Sequence, residues 1–233
     1  MNNIDNVKLP SNGLIDNVPS EVQVRGMKGR EISTLYSSLN EAAIEDVIRN
    51  VTTPSLQPDI LCDEDKKCIL HKTRVLTFGN EIEQSLRCPF CGNIHTYIID
   101  YDNFNFVLLD EDILSKTVVM SDGKVITKAI PTKASWDAIH RYKDKRNLPD
   151  TYAFLLLQAA RIGTIDGKHI GMSDLIEYLE NLPGNELVNL SKALDIKFGL
   201  DTTFKVECNS CHTDFTGGIG INADMFRKPN SAL

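Results

Sequence analysis

Cys88-Pro89-Phe90-Cys91-Gly92 and Cys208-Asn209-Ser210-Cys211-His212 decide how this chain is read. Two CxxC pairs supply four thiols, the number that completes a tetrahedral zinc site. In such a turn the backbone amides point at the sulfurs while both thiolates reach one metal. Joining the pairs brings two distant segments into contact, and everything between them becomes an insertion in a zinc ribbon. Each pair stands where one strand should end and another begin. Tyr97, Ile98, Ile99, Phe104, Phe106 and Val107 follow the first pair. Thr203-Phe204-Lys205-Val206 and Ile219-Gly220-Ile221 flank the second.

We read Cys88, Cys91, Cys208 and Cys211 as ligands of one structural zinc ion. Four sulfurs leave no open position for water, so the site is closed rather than catalytic. Such an ion contributes on the order of 10 kcal/mol of apparent folding free energy, and its loss should unfold the ribbon and release both ends of the insertion. Three readings compete. A thioredoxin-like motif needs its CxxC at the start of a helix in a βαβ unit; here the flanks read as strands. Disulfides need an oxidising compartment, and the four could be ordinary core cysteines.

Cys62 and Cys68 differ from these. On a helix they lie roughly 240° apart, so they cannot easily share a metal, and buried core thiols are expected. His71 follows the same expectation. His95 and His212 flank the knuckles; His212 could replace Cys211 as a ligand, but a supporting or surface position is expected. Gly217-Gly218-Ile219-Gly220 opens no helix, which argues against a phosphate loop. Asp110-Glu111-Asp112 reads as a solvated loop or helix N-terminus. No catalytic set stands out, so no enzyme is expected.

Working outward, residues 1–30 read as an extended arm with a turn at Leu9-Pro10-Ser11-Asn12-Gly13 and a short strand through Val22 and Val24. Ile32, Leu35, Tyr36, Leu39, Ala43, Val47, Ile48 and Val51 recur at three and four residues, predicting one helix over about 30–50 that Pro54 stops. A second helix is predicted over 62–77, with Gly79 as its C-cap. Asp122-Gly123 between Thr117–Met120 and Val125–Thr127 predicts a hairpin. From 133 to 199 the pattern is helical. Residues 135–146 are amphipathic through Trp136 and Ile139, while 151–162 are apolar almost all round and read as the most buried helix. Ser173 reads as the N-cap of 174–182, and Asn185 as the cap of a last helix ended by Gly199. The expected fold is α+β. An N-terminal arm (1–30) and a helical segment (31–80) precede a zinc-ribbon region (81–132 and 200–233), into which a helical lobe (133–199) is inserted.

The 233 residues are 42% apolar and 24% charged, enough to bury a sizeable core. No n-region or h-region marks the N-terminus, and no run approaches about 18 apolar residues, so no membrane span is expected. Six cysteines without a signal peptide point to a reducing compartment. A net charge of −7 argues against a protein that coats nucleic acid. The one basic stretch, 133–168, reads as a solvated face.

Several segments together resemble the baseplate hub and hub-assembly proteins of contractile-tailed bacteriophages. These are Leu9-Pro10-Ser11-Asn12-Gly13, Val22-Gln23-Val24-Arg25-Gly26-Met27, Arg74 with Phe78-Gly79, Gly163-Thr164-Ile165-Asp166-Gly167 and Met225-Phe226-Arg227-Lys228-Pro229. The resemblance runs along nearly the whole chain. It implies a non-enzymatic protein of the infected host's cytoplasm that helps build the central hub of the tail baseplate, as a subunit or an assembly factor. Its implied partners are other phage baseplate and tail proteins. The N-terminal arm is expected to order on such a partner. The alternative is a zinc-ribbon nucleic-acid-binding or transcription-associated protein that uses the basic stretch.

Overall fold

A computed structural model describes residues 4–38, 40–221 and 223–226. The chain is α+β. Its N-terminus is a hairpin: β1 (Ile4–Lys8) pairs antiparallel with β2 (Glu21–Arg25), from Ile4↔Arg25 to Lys8↔Glu21. The expected extended arm is therefore corrected. The period of two puts Val22 and Val24 on one buried face, and the turn inserts Leu9 and Ser11 into the interior, all four at most 2% exposed. The Ser11 N–H donates to Asp65 Oδ1 at 2.9 Å.

The helix expected over 30–50 is two helices, α1 (Gly29–Ser37) and α2 (Glu41–Val51). Asn40 breaks the run because its side chain caps the Ala43 N–H at 3.0 Å. Leu39 lies outside the described residues. The break frees α2 to bury Ala43, Val47, Ile48 and Val51, while Tyr36 of α1 stays half-exposed and donates to the Phe226 carbonyl at 2.9 Å. The two-residue β3 (Thr52–Thr53) extends the first sheet beyond β2.

Arg25 ties this sheet to α1 through a two-pronged pair with Glu31, at 2.6 and 2.9 Å. The Arg25 hydrogen bond, supported by the Lys28 N–H, outweighs burial and lowers Glu31 from its ordinary 4.5. A lowered carboxylate stabilises the fold fully above its unfolded value and loses that contribution as pH falls through the folded one. Glu31→Gln should therefore flatten the pH dependence of stability below about pH 4.5 and leave the slope near neutrality unchanged, as read by urea midpoints across pH.

α3 (Asp63–Phe78) closes the main core and ends at Gly79, whose φ of 90° suits glycine. Its buried Arg74 sits over the rings of Tyr101 and Phe78, at 5.2 and 5.7 Å, and donates to the Gly79 and Glu81 carbonyls. Cys62 and Cys68 are buried, as expected. Burial pushes the Cys68 thiol up to about 12, so it stays protonated and donates to the Lys8 carbonyl.

Two hairpins then frame the insertion. The first pairs β4 (Glu81–Arg87) with β5 (Ile94–Asp100). β6 (Asn105–Val107) and α4 (Glu111–Ser115) follow, and Asp110 caps α4 through the Asp112 N–H at 2.8 Å. The acidic run is thus a helix N-terminus. β7 (Val118–Val119) and β8 (Val125–Lys128) form the expected hairpin around Asp122-Gly123.

The lobe consists of α5 (Lys133–Arg146), α6 (Ala153–Arg161), β9 (Ile162–Ile165), α7 (Met172–Glu180) and α8 (Gly184–Leu194). α6, apolar almost all round, was expected to be the most buried helix, but it leaves Phe154 exposed at 44% although α5, α7, α8 and β9 all pack against it. The caps differ too. α7 begins after Gly171, not Ser173, and α8 begins after Pro183, not Asn185. α8 stops at Leu194. Gly199 opens β10 (Gly199–Asp201) instead, pairing with β6 at a point where a Cβ would lie 2.7 Å from Glu64 Cγ.

The second hairpin pairs β11 (Thr203–Glu207) with β12 (Asp214–Gly218). The strand expected near Ile219–Ile221 thus lies earlier, where Phe215 and Gly217 face inward. One core joins the N-terminal sheet, α1–α3 and the ribbon; a second fills the lobe. They meet where the Lys133 N–H bonds the Leu61 carbonyl at 3.1 Å and Lys133 Nζ pairs with Glu45 at 3.4 Å.

Candidate metal centre

The two hairpins pack inner face to inner face. Alternation along β5 turns His95 and Tyr97 toward β11 and β12. The Tyr97 hydroxyl donates to the Glu207 carbonyl at 3.1 Å, its ring meets Phe215 edge-on at 6.3 Å, and His95 Nε2 lies 2.9 Å from Ser210 Oγ. Gly217 lets the hairpins close: a Cβ there would sit 2.9 Å from Leu86 Cδ1 and 3.0 Å from the Phe204 ring. These contacts were not singled out from sequence, although the alternation of 94–100 carried the signal for Tyr97 and His95.

At the tips the hairpins bring Cys88, Cys91, Cys208 and Cys211 together, with all four sulfurs within 4.8 Å of one another. Cys88 Sγ lies 3.8 Å from Cys211 Sγ, and Cys91 Sγ lies 3.6 Å from Cys208 Sγ. Four sulfurs about 2.3 Å from a tetrahedral zinc stand about 3.8 Å apart, whereas a disulfide needs about 2.05 Å. The donor set and its spacing therefore suit a metal and not cross-links.

The two turns repeat one another atom for atom. Cys88 N–H bonds the Asn93 carbonyl at 2.8 Å, and Cys208 N–H bonds the Thr213 carbonyl at 3.1 Å. The Phe90 N–H points at Cys88 Sγ and the Ser210 N–H at Cys208 Sγ, each at 3.4 Å. Such N–H groups stabilise thiolate. Cys88 and Cys208 are buried, Cys211 is half-buried and Cys91 is exposed.

The cluster is electrostatically divided. Thr213 draws Cys211 down to about 6 through its hydroxyl and N–H. The Asn93 N–H also draws Cys91 down, but desolvation against the other three sulfurs and hydrogen bonds to them outweigh it and push that thiol up to about 12. A cation held among the four resolves the conflict by stabilising every thiolate at once.

His212 is not aimed at the cluster. Its Nδ1 lies 2.8 Å from Glu207 Oε1 at the surface, and its φ of 54° occupies the left-handed position that Gly92 fills, at 76°, in the first turn. His212→Gly is therefore expected to keep metal affinity and to hold or raise stability by up to about 1 kcal/mol, because glycine adopts this conformation freely. A loss of metal in the variant, read by elemental analysis, would make His212 a ligand after all.

Fold and site together define an α+β scaffold of zinc-ribbon-like arrangement, in which four clustered cysteines could hold a metal ion. The family described as T4 bacteriophage base plate protein matches residues 1–222, and the chain belongs to that family. No curated protein and no solved structure matches it. The chain is thus a phage baseplate protein, whose setting is the virion tail and the tail proteins around it. Among the described residues no helix is long and apolar enough to cross a membrane.

Proposed function

We propose that this baseplate protein acts as a hub subunit or a hub assembly factor, non-enzymatically and through protein–protein contacts. One structural zinc ion on Cys88, Cys91, Cys208 and Cys211 fastens its two hairpins. Family membership over residues 1–222 carries the baseplate part of this reading. The hub assignment extends it through the motifs quoted above. The zinc assignment rests on four sulfurs at tetrahedral spacing, with no position left for water. In this reading residues 133–199 form a lobe presented to neighbouring proteins, and the chain is made in the host cytoplasm.

The nucleic-acid alternative finds little support at the hairpins. Their exposed faces carry Glu81, Glu83, Asp100, Glu207 and Asp214 against Arg87 and Lys205, a surface that repels phosphate. The deciding experiment is purification of hub intermediates from infected cells, with mature particles analysed beside them. Retention in the particle assigns a subunit, and presence in the intermediates alone assigns an assembly factor. Absence from both, with tight DNA or RNA binding that weakens steeply with salt, overturns the proposal.

A further inference from the structure

β1 is the edge of the first sheet, whose order is β1-β2-β3. The Leu9 N–H bonds the Ser20 carbonyl at 2.9 Å. Antiparallel pairing alternates, so Asp5 and Val7 turn their main-chain groups to β2 while Ile4, Asn6 and Lys8 turn theirs to the open side. By that alternation the N–H and carbonyl of Asn6 take no part in the β1–β2 ladder. Its N–H donates instead to the carboxylate of Asp5, which Lys72 holds at 2.5 Å, a side-chain bond that an incoming strand would have to replace. The Lys8 carbonyl receives the Cys68 thiol at 3.7 Å, a weak donor.

This edge opens onto a groove of about 310 Å³. Asn6, Val7 and Lys8 all line it, and three consecutive strand residues can share a groove only along the strand's edge. Cys68, His71 and Tyr101 also line it, with the charged Lys72 and Asp102 beside them, and Phe104, Phe106 and Leu200 form its apolar wall. Phe106 is 39% exposed, and Ile4, at the end of the edge, is 56% exposed. Lys8 has no ion pair among the described residues.

We propose that β1 takes up an extended segment of a partner protein as a further strand of the sheet. The segment sets alternate apolar side chains against Phe104, Phe106 and Leu200 and brings a carboxylate to Lys8. Main-chain groups of a strand edge that lack a strand partner and hold only side-chain or weak donors are matched by another strand, not by a helix, and apolar pockets beside them select the side chains. A second copy of this chain fits poorly. Its own β1 would offer Asp5 beside Val7 from one face, or Asn6 and Lys8 beside Ile4 from the other, so either face sets polar side chains against an aromatic wall. That the segment belongs to another tail protein rests on the assembly reading above; the groove chemistry does not.

The test is an array of short overlapping peptides covering the other tail proteins of the same phage. It is probed with the full chain and with its Asn6→Pro and Phe106→Asp variants. The Asn6 N–H takes no part in the hairpin ladder, so proline removes an edge donor at a tolerated position. Phe106→Asp alters the wall and leaves β1 intact, and thermal melts establish that both variants are folded. Binding is expected at segments with alternating apolar residues and an acidic residue, weakened at least about tenfold by either variant. Hydrogen exchange at Asn6 and Lys8 should slow when the peptide binds. A blank array, or binding that survives both variants with unchanged exchange at Asn6, overturns the proposal. Self-association lost in both variants assigns the edge to a second copy and overturns it as well. If the chain joins hub intermediates while array and exchange stay blank, the assembly reading stands and strand addition falls. If the peptides bind but the chain never accompanies those intermediates, the reverse holds.

Discussion

Cys208→Ser is expected to cost several kcal/mol, more than the same change at Cys62. Both thiols are fully buried, so burial alone does not separate them. Cys62 loses only what a core substitution loses, whereas in the zinc reading Cys208 loses one of four bonds to the proposed ion, whose site would be worth on the order of 10 kcal/mol. That sum matches the net stability of many whole domains. Chelation of the purified chain should give the same result in spatial detail. Amide protection at Cys88, Gly92, Cys208 and His212, all bonded within the knuckles, should vanish first. The lobe should keep its protection, because Leu156, Leu175, Leu179 and Leu190 belong to a separate core and local regions open independently when their contacts are separate. The expectation that metal loss frees both ends of the insertion is thereby narrowed, since Lys133 still binds Leu61 and Glu45 at the seam. Zinc well below one equivalent in unoxidised protein, together with equal costs at Cys62 and Cys208, would remove the clasp from the account.

Leu9→Ala should destabilise the chain by roughly 2–5 kcal/mol. Leu9 lies in the turn region first read as a free arm, yet it has no exposed surface and packs in the main core with Val22, Val24 and Ile69. Truncation leaves a cavity that the surrounding sheet and α3 can only partly close. Urea unfolding reads the effect directly, and a shift of under about 1 kcal/mol would return the hairpin to the status of a detachable arm. A folded hairpin also explains why its outer edge can serve as a docking strand without first having to order.

Local chemistry was legible in several places. CxxC spacing identified the knuckles, Asp122-Gly123 the lobe hairpin and Gly79 the end of α3, because each depends on bonds or dihedrals within a few residues. The helix break before Asn40 was not legible, since the apolar period runs through it and the Asn40 cap starts a new helix. The starts of α7 and α8 were misplaced for a related reason: Ser173 and Asn185 are good caps by type, but packing begins those helices one turn or less earlier.

By itself, then, the sequence determined the α+β class, the four cysteines as one constellation and the baseplate-like order of motifs, all carried by residue type and short spacing. Only the tertiary structure decided that the N-terminal segment belongs to the core, that Gly217 and Tyr97 let the two hairpins close, and that the β1 edge faces an apolar groove. Those outcomes depend on which distant surfaces meet, and burial energy is shared among residues that no local pattern relates.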